Sequence, residues 1–332
     1  MTKKYWMITV TNLILLGLSK ESWSKQVIPP PNNQAYIKSP HKKPKGYIQY
    51  KVDYSPMDRW PKLKKDFLQL RQETLEKPAS HQSLKNNLFI LNAALKATPN
   101  WVDGLWMQAS FYFQLALALD PEIEDEKVLN YLTLAEASSK RCHSLDRTNP
   151  LCQLFLASII AHRGTIDGVL SAISKAEQVE SLWLNVARSK YNYSFTKYIT
   201  MQGAVRYALG IFYRLVPDSA LVKWLYGVRG DLDKSITLHR TSLAIDDPRL
   251  PCSNLMLAVA LICSSEEDPK DKRFEEGVSL LTKAKNSNFI FSVNSRLCRR
   301  DASHILKKPD DACGYSTAKQ QEEIDDSQLV KK

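Results

Sequence analysis

Glycine, and segments in which apolar and polar residues alternate, are scarce in this sequence. The chain has 11 glycines in 332 residues, and few segments alternate in the way that half-buried strands do. A sheet protein needs both features, because its tight turns use glycine and its strands present two different faces. With 44% hydrophobic residues the chain can still bury a core. The sequence therefore predicts an all-α fold.

The motifs that mark common catalytic and cofactor sites are also missing. The chain has no H-E-x-x-H zinc motif, no G-x-S-x-G nucleophile motif and no phosphate-binding glycine loop. Cys142 and His143 are adjacent, so on a helix they point about 100° apart and cannot act together as nucleophile and base. The sequence predicts a non-enzymatic protein with no cofactor and no metal site. An enzyme whose site is assembled from dispersed residues remains the alternative.

The one run of apolar residues that suits a membrane lies at the N-terminus. Lys3 and Lys4 precede the apolar run from Met7 to Leu18, and small residues suited to cleavage end at Ser24. This order predicts a secretory signal peptide over residues 1–24, and hence a periplasmic or secreted protein. An uncleaved anchor is the alternative, although a spanning helix needs about 20 apolar residues.

Positive charge is concentrated close behind that segment. Of the formal charge of +11, residues 25–65 carry +8 and residues 1–24 carry +2. The rest of the chain is nearly neutral, which argues against nucleic-acid binding. Residues 25–56 are rich in Pro and Lys and predict an extended leader. Residues 25–65 either bind an anionic envelope surface or serve as a solvated spacer.

An even number of cysteines in an exported chain favours disulfide bonds. Bridges are predicted between Cys142 and Cys152 and between Cys298 and Cys313, each across a short connection between helices; buried free thiols are the alternative. No bridge is expected between Cys252 and Cys263, because 11 residues of helix would hold the sulfurs about 16 Å apart.

Helical periodicity runs through the middle of the chain. Leu84, Leu88, Leu91 and Leu95 share one helix face, and the run 101–119 is apolar almost all round, which is typical of a helix buried between neighbours. Residues 189–199 lack a clean period and predict a loop or an insertion. The helical domain is predicted over residues 57–308, followed by a flexible C-terminal tail over 309–332.

One stretch, GDLDKSITLHRTSLAIDDP, resembles the second helix of a tetratricopeptide repeat (TPR). Gly230, Leu232, Ser235, Ser242 and Pro248 stand at the places of that motif. Small residues seven apart allow a partner helix to approach closely, and the glycine permits a tight turn before the helix. The resemblance implies a TPR-like α-solenoid of antiparallel helix pairs.

Two sequence features near that glycine, a triplet that includes it and His239, invite a functional interpretation. Arg229-Gly230-Asp231 matches an integrin-type recognition triplet, but a turn glycine between a solvated Arg and an Asp that caps the next helix is the better explanation. His239 is predicted to lie on a solvated face. Both features are interpreted as scaffold.

The segment AVRYALGIFYRLVP, with the helix that follows it, is similar to the periplasmic TPR-like components associated with bacterial solute-uptake (TRAP) transporters, and more distantly to TPR-like regulators of microtubule dynamics. The resemblance implies an exported scaffold or adaptor that binds a protein or peptide in its superhelical groove. The alternative is a periplasmic small-ligand-binding or transporter accessory protein. An open groove would favour the first, and a closed pocket of roughly 300 to 1,000 Å³ the second.

The best candidate site on this scaffold combines aromatic anchors with fixed positive charge, which would suit a carboxylate or another anion. The alternative is that its aromatic rings simply fill the seam between helices. The candidate ligand-binding residues are Arg206, Tyr207, Arg214, Lys223, Trp224 and Arg229.

Overall fold

The computed structural model describes residues 46–77, 80–120, 123–168, 172–266, 270–290, 294–316 and 321. Helices dominate this part of the chain, which confirms the predicted all-α class. The predicted signal peptide and residues 25–45 of the predicted leader lie outside it. Within the same ranges no helix has the length and apolar character needed to cross a membrane.

Twelve α-helices occur in the described ranges. They are α1 (Pro61–Glu76), α2 (His81–Ala97), α3 (Val102–Leu117), α4 (Asp125–Leu145), α5 (Pro150–Asp167), α6 (Ala176–Arg188), α7 (Met201–Leu215), α8 (Ala220–Tyr226), α9 (Leu232–Ile245), α10 (Pro251–Ser264), α11 (Lys272–Lys285) and α12 (Ser295–Ile305). Two short strands, β1 (Ile48–Gln49) and β2 (Tyr191–Asn192), pair in parallel.

Each long helix packs mainly against the helices next to it in sequence. The closest pairs are α3 with α4, α7 with α9, and α10 with α11. In sequence, the short helix α8 lies between α7 and α9. One apolar core extends from α1 to α9, and a second joins α10, α11 and α12 to Ala312 and Tyr315.

Local sequence sets where these helices begin. Pro61, Pro150 and Pro251 each occupy the first turn, where a missing backbone N–H has no helical partner to lose. Ser80 and Thr200 cap α2 and α7 by accepting a hydrogen bond from a backbone N–H three residues later. The helix α3 is buried on most of its surface, as its apolar composition predicts.

The pairing of α7 with α9 depends on small residues at matching heights. Ser235 Oγ donates to the carbonyl of Gly210 at 2.7 Å, and Ser242 Oγ donates to the carbonyl of Gly203 at 2.9 Å. Both serines are fully buried. Such side chain to backbone bonds require the two helices to lie very close together, because a serine hydroxyl is short. The close approach predicted for Ser235 and Ser242 is confirmed.

The triplet before α9 has the geometry of a helix start. Asp231 caps α9 by accepting from the backbone N–H of Lys234 at 2.8 Å, as predicted. A Cβ on Gly230 would lie 2.0 Å from the carbonyl oxygen of Val216, so only glycine fits there. Arg229 forms an exposed ion pair with Asp218.

The folded body begins earlier than predicted. Tyr50 pairs its backbone N–H with the carbonyl of Asn192 at 2.7 Å, beside the β1–β2 pair. Its hydroxyl donates to Asp103 Oδ1 at 2.7 Å and accepts from the amide of Asn149 at 2.7 Å. The prediction that the leader extends to residue 56 is therefore wrong for residues 47–56, because Tyr50 forms hydrogen bonds with Asp103 on α3 and with Asn149 just before α5. The region 189–199, predicted as a loop or insertion, supplies the matching strand.

Three disulfides link the six cysteines. They join Cys142 to Cys152, Cys252 to Cys298, and Cys263 to Cys313. The predicted Cys142–Cys152 bridge is confirmed. The predicted Cys298–Cys313 bridge is wrong, because packing of α10 against α11 and α12 brings both ends of α10 to cysteines distant in sequence. Three disulfides indicate an oxidising environment.

The segment after α12 is docked on the core. A 3₁₀ turn covers Pro309–Asp311, and Ala312 and Tyr315 are buried. The guanidinium of Arg214 donates to the carbonyls of Ala312, Cys313 and Tyr315 at 3.1, 2.8 and 2.6 Å. The prediction of a flexible tail from residue 309 is wrong for residues 309–316, because a disulfide and a buried guanidinium hold them. Residues 317–320 and 322–332 lie outside the described ranges.

Candidate ligand-binding cavity

A cavity of about 380 Å³ lies between the helices of the larger core. Helices α1, α2, α3, α5, α6, α7 and α9 all contribute to its wall, together with residues of the 195–199 loop, the first turn of α10, Asn294 and Ser316. Seven large aromatic side chains line it: Phe111, Phe113, Phe155, Trp183, Phe195, Tyr207 and Phe212.

These rings support one another in pairs. Phe155 and Phe195 lie edge to face with centroids 5.7 Å apart, and Trp183 and Phe212 lie edge to face at 6.0 Å. Edge-to-face contacts of this kind hold rings in fixed orientations. The Nε1 of Trp183 donates to Ser158 Oγ at 3.2 Å, which fixes the indole further. The wall is therefore preformed and largely apolar.

Arg71 brings a permanent positive charge into this wall. The guanidinium donates to the hydroxyl of Tyr193 at 2.8 Å and more weakly to Thr74 at 3.4 Å, and it also bonds the hydroxyl of Tyr54. It lies over the ring of Phe111, 5.5 Å from the centroid. Its Nε is buried and has no hydrogen-bond partner.

Asp246, at the end of α9, is the acidic group of the cavity wall. It is buried, and its Oδ1 accepts from the backbone N–H and the hydroxyl of Thr200, both at 2.9 Å. Burial raises the pKa of this carboxyl to about 7, against the opposing effect of the Thr200 bonds. Near neutral pH the side chain is therefore shared between its protonated and ionised forms.

His162 and Tyr207 are two further titratable groups that line the cavity. Burial lowers the pKa of His162 to about 4, so the imidazole is neutral, and its ring packs edge to face on Phe113. The hydroxyl of Tyr207 is buried without a hydrogen-bond partner, and burial raises its pKa. Among the described hydrogen bonds none links Asp246 to His162 or to Tyr207.

The six residues predicted as a binding surface do not lie on one surface. Arg206 and Arg214 are 2% and 7% exposed, whereas Trp224 is 80% exposed. Arg206 donates to the carbonyl and to Oε1 of Gln202, and Arg214 binds the carbonyls of the C-terminal segment. Their assignment as ligand contacts on an open surface is wrong, because α7 is covered by other parts of the chain. Burial lowers the pKa of Arg214 to about 10.

The remaining predicted residues divide between the cavity and the outer surface. Tyr207 lines the cavity. Lys223 and Arg229 are exposed and are bound by the carbonyl of Gly227 and by Asp218 respectively. Trp224 is exposed on α8. Only Tyr207 is therefore part of the candidate site.

His239 is buried rather than solvated. Its ring packs against Gly210 of α7 and lies edge to face with Tyr207, with centroids 5.8 Å apart. Burial lowers its pKa to about 3, and the charge of Arg214 adds to this effect. The prediction of a solvated face was wrong because α9 packs against α7 and α10 at once.

Sequence reasoning missed Arg71 and Asp246. Arg71 lies in a helix with many charged residues, where it resembles the exposed Lys62 and Lys65 of the same helix. A signal was present for Asp246, because it follows directly after the last apolar residue of a helix that carries two small buried serines. The sequence around Arg71 and Asp246 does not indicate that the two residues share a cavity, since that depends on how α1 and α9 are placed in space.

Comparison with known proteins adds no identification. No family model matches the chain, and no curated protein matches it. Within the described ranges, no group of three or more His, Cys, Asp or Glu side chains could hold a metal ion.

Proposed function

We propose that this protein binds a small apolar molecule in the cavity and acts as a non-enzymatic carrier or transporter accessory in the periplasm or outside the cell. The observation that carries the proposal is the cavity itself. Its volume of about 380 Å³ and aromatic wall are typical of sites that enclose most of a small ligand.

Two further observations support the setting of this proposal. The three disulfides fit an exported protein, in agreement with the signal pattern of residues 1–24. The close pairing of α7 and α9 through Ser235 and Ser242 fits a TPR-like solenoid, in which neighbouring helix pairs stack in a row. Such an array would have a concave inner wall, on which a ligand could bind.

Filling the cavity tests the proposal. Ala208 lies in α7 on the cavity wall, so Ala208→Trp would place an indole in the space that the ligand needs. We expect an uncharged fluorescent probe, N-phenyl-1-naphthylamine, to bind the wild-type protein with increased emission. We expect the variant to bind the probe with an affinity at least about tenfold lower. A tenfold decrease corresponds to a loss of about 1.4 kcal/mol of binding free energy. Fluorescence titration measures both affinities.

A matched control separates cavity filling from a general effect of tryptophan. Ala93 is exposed in α2, so Ala93→Trp should leave probe affinity unchanged. Circular dichroism checks that both variants keep their helices. If the probe fails to bind wild-type protein, or binds Ala208→Trp as tightly, the proposed cavity ligand is wrong.

A protein partner is the second candidate, on one specific observation. Helix α8 exposes Trp224 and Leu225 side by side, at 80% and 41%. An exposed tryptophan beside a second apolar residue is typical of protein contacts.

We expect Trp224→Ala to reduce recovery of a specific partner from an envelope extract, measured by mass spectrometry after affinity capture. Phe89→Ala, at another exposed aromatic residue on α2, is the matched control and should leave recovery unchanged. Equal partner recovery with both variants would remove α8 as the contact.

A further inference from the structure

Arg71 carries a charge that the protein does not neutralise. Its hydrogen-bond partners are the neutral hydroxyls of Tyr193, Thr74 and Tyr54. No ion pair joins it to a carboxylate in the described ranges. An enclosed guanidinium is costly unless an anion or further acceptors compensate it. Its unpartnered Nε is one donor still unused.

Asp103, a buried acid on α3, is already engaged. Asp103 Oδ1 accepts from Tyr50 and from Trp106 Nε1, both at 2.7 Å, and its Oδ2 accepts from the backbone N–H of Asp53 at 2.6 Å. Asp103 therefore binds the N-terminal segment through Tyr50 and Asp53. The charge of Arg71 is left facing the cavity.

The two buried arginines of α7 differ from Arg71 in this respect. Arg206 and Arg214 also have no carboxylate partner, and Arg214 Nε also lacks a hydrogen-bond partner, but their other N–H groups bond to backbone and side-chain atoms away from the cavity, and neither arginine lines it. Arg71 does line the cavity. An anion inside the cavity would therefore meet Arg71 and no other arginine of the described chain.

The cavity wall contains both polar and apolar groups. Thr74, Ser110 and Gln114 supply polar groups from α1 and α3, whereas Trp183, Ile211 and Phe212 supply apolar surface from α6 and α7. A ligand that fits both regions has a charged head and an apolar body. Carboxylates suit arginine because the guanidinium can donate two parallel hydrogen bonds to them.

We propose that the cavity binds an amphiphilic carboxylate of the fatty-acid kind, with its carboxylate at Arg71 and its apolar chain along the aromatic wall. The inference rests on the proposed function and names the ligand class of the same cavity.

A ligand with the opposite charge, carried by an amine head group, is disfavoured. Asp246 is the acid of the wall, and one of its oxygens already accepts two bonds from Thr200. Burial raises its pKa to about 7, so much of it is uncharged near neutral pH. Arg71 stays charged at any pH that the protein meets.

Displacement of N-phenyl-1-naphthylamine by three ligands with the same chain tests the inference: decanoate, decanol and decylamine at pH 7.5. We expect decanoate to displace the probe from the wild-type protein at a concentration about tenfold to a hundredfold lower than decanol does, which is the effect of a charge-assisted bond pair. Arg71→Met should remove this preference and leave decanol unchanged. Arg71→Lys, which keeps the charge, should retain part of it.

Arg240→Met is the matched control, because Arg240 is an exposed arginine on α9 paired with Glu276, and it should behave as wild type. The wild-type comparison does not depend on whether Arg71→Met folds. Equal displacement by decanoate and decanol, or stronger displacement by decylamine, would overturn the inference while leaving an apolar cavity intact. Absence of any probe binding would instead count against the proposed function.

Discussion

Loss of the Cys263–Cys313 bridge, by Cys263→Ala with Cys313→Ala, is expected to lower the free energy of unfolding by about 4 kcal/mol. The two cysteines are 50 residues apart in sequence, so the bridge closes a long loop in the unfolded chain. Removing it increases the entropy of the unfolded state. Urea unfolding under non-reducing conditions, followed by circular dichroism, measures the change.

The Cys142–Cys152 pair is the control for loop length. Its cysteines are 10 apart, and the same entropic argument gives about 3 kcal/mol when both are replaced by alanine. The first double variant should therefore lose about 1 kcal/mol more than the second. An equal or smaller loss would contradict loop closure as the main contribution.

The same bridge also has a local effect that hydrogen exchange can detect. Cys313 anchors the segment whose carbonyls bind Arg214 and whose Ser316 borders the cavity. Without the bridge, the backbone amides of 312–316 should exchange faster, whereas those of α3 should be unchanged. Exchange at the wild-type rate would show that Arg214 alone holds the segment.

Gly210→Ala is expected to destabilise the protein by about 2 kcal/mol, although alanine is the better helix former by about 1 kcal/mol. A Cβ at this position would lie 2.6 Å from Cε1 and Nε2 of His239. The ring cannot move away easily, because it is buried between α7 and α9. Urea unfolding of the variant measures the loss.

A double-mutant cycle identifies the cause. His239→Ala removes the obstructing ring, so Gly210→Ala should cost less in that background than in the wild type. We expect a coupling free energy of about 1 kcal/mol or more, so that the double variant is more stable than the sum of the two single losses predicts. Additive costs would show that the close approach of α7 to α9, and not the imidazole, limits this site.

The helix pair α7 and α9 shows how far the sequence can go. The motif at 230–248 predicted both the cap at Asp231 and the small contacts at Ser235 and Ser242, because these features depend on residues close together in one helix. It did not predict that His239 is buried. That depends on the packing of α9 against α7, whose Gly210 and Tyr207 contact the ring, and against α10.

The candidate site shows the limit more clearly. Tyr207 was predicted and lines the cavity, whereas Arg206 and Arg214 were predicted and serve the scaffold. Sequence spacing gives the direction of each side chain around its own helix axis. It does not say which neighbour covers that direction.

The sequence by itself determined the helical class, most helix starts, the cap and small-residue contacts of α9, and the short Cys142–Cys152 bridge. Each of these follows from interactions between residues near one another in the chain. Only the tertiary structure decided the Cys252–Cys298 and Cys263–Cys313 bridges, the docking of residues 47–56 and 309–316, and the meeting of Arg71 with Asp246 around one cavity. These pairings join residues far apart in sequence, and their positions are set by the packing of whole helices, which no local pattern specifies.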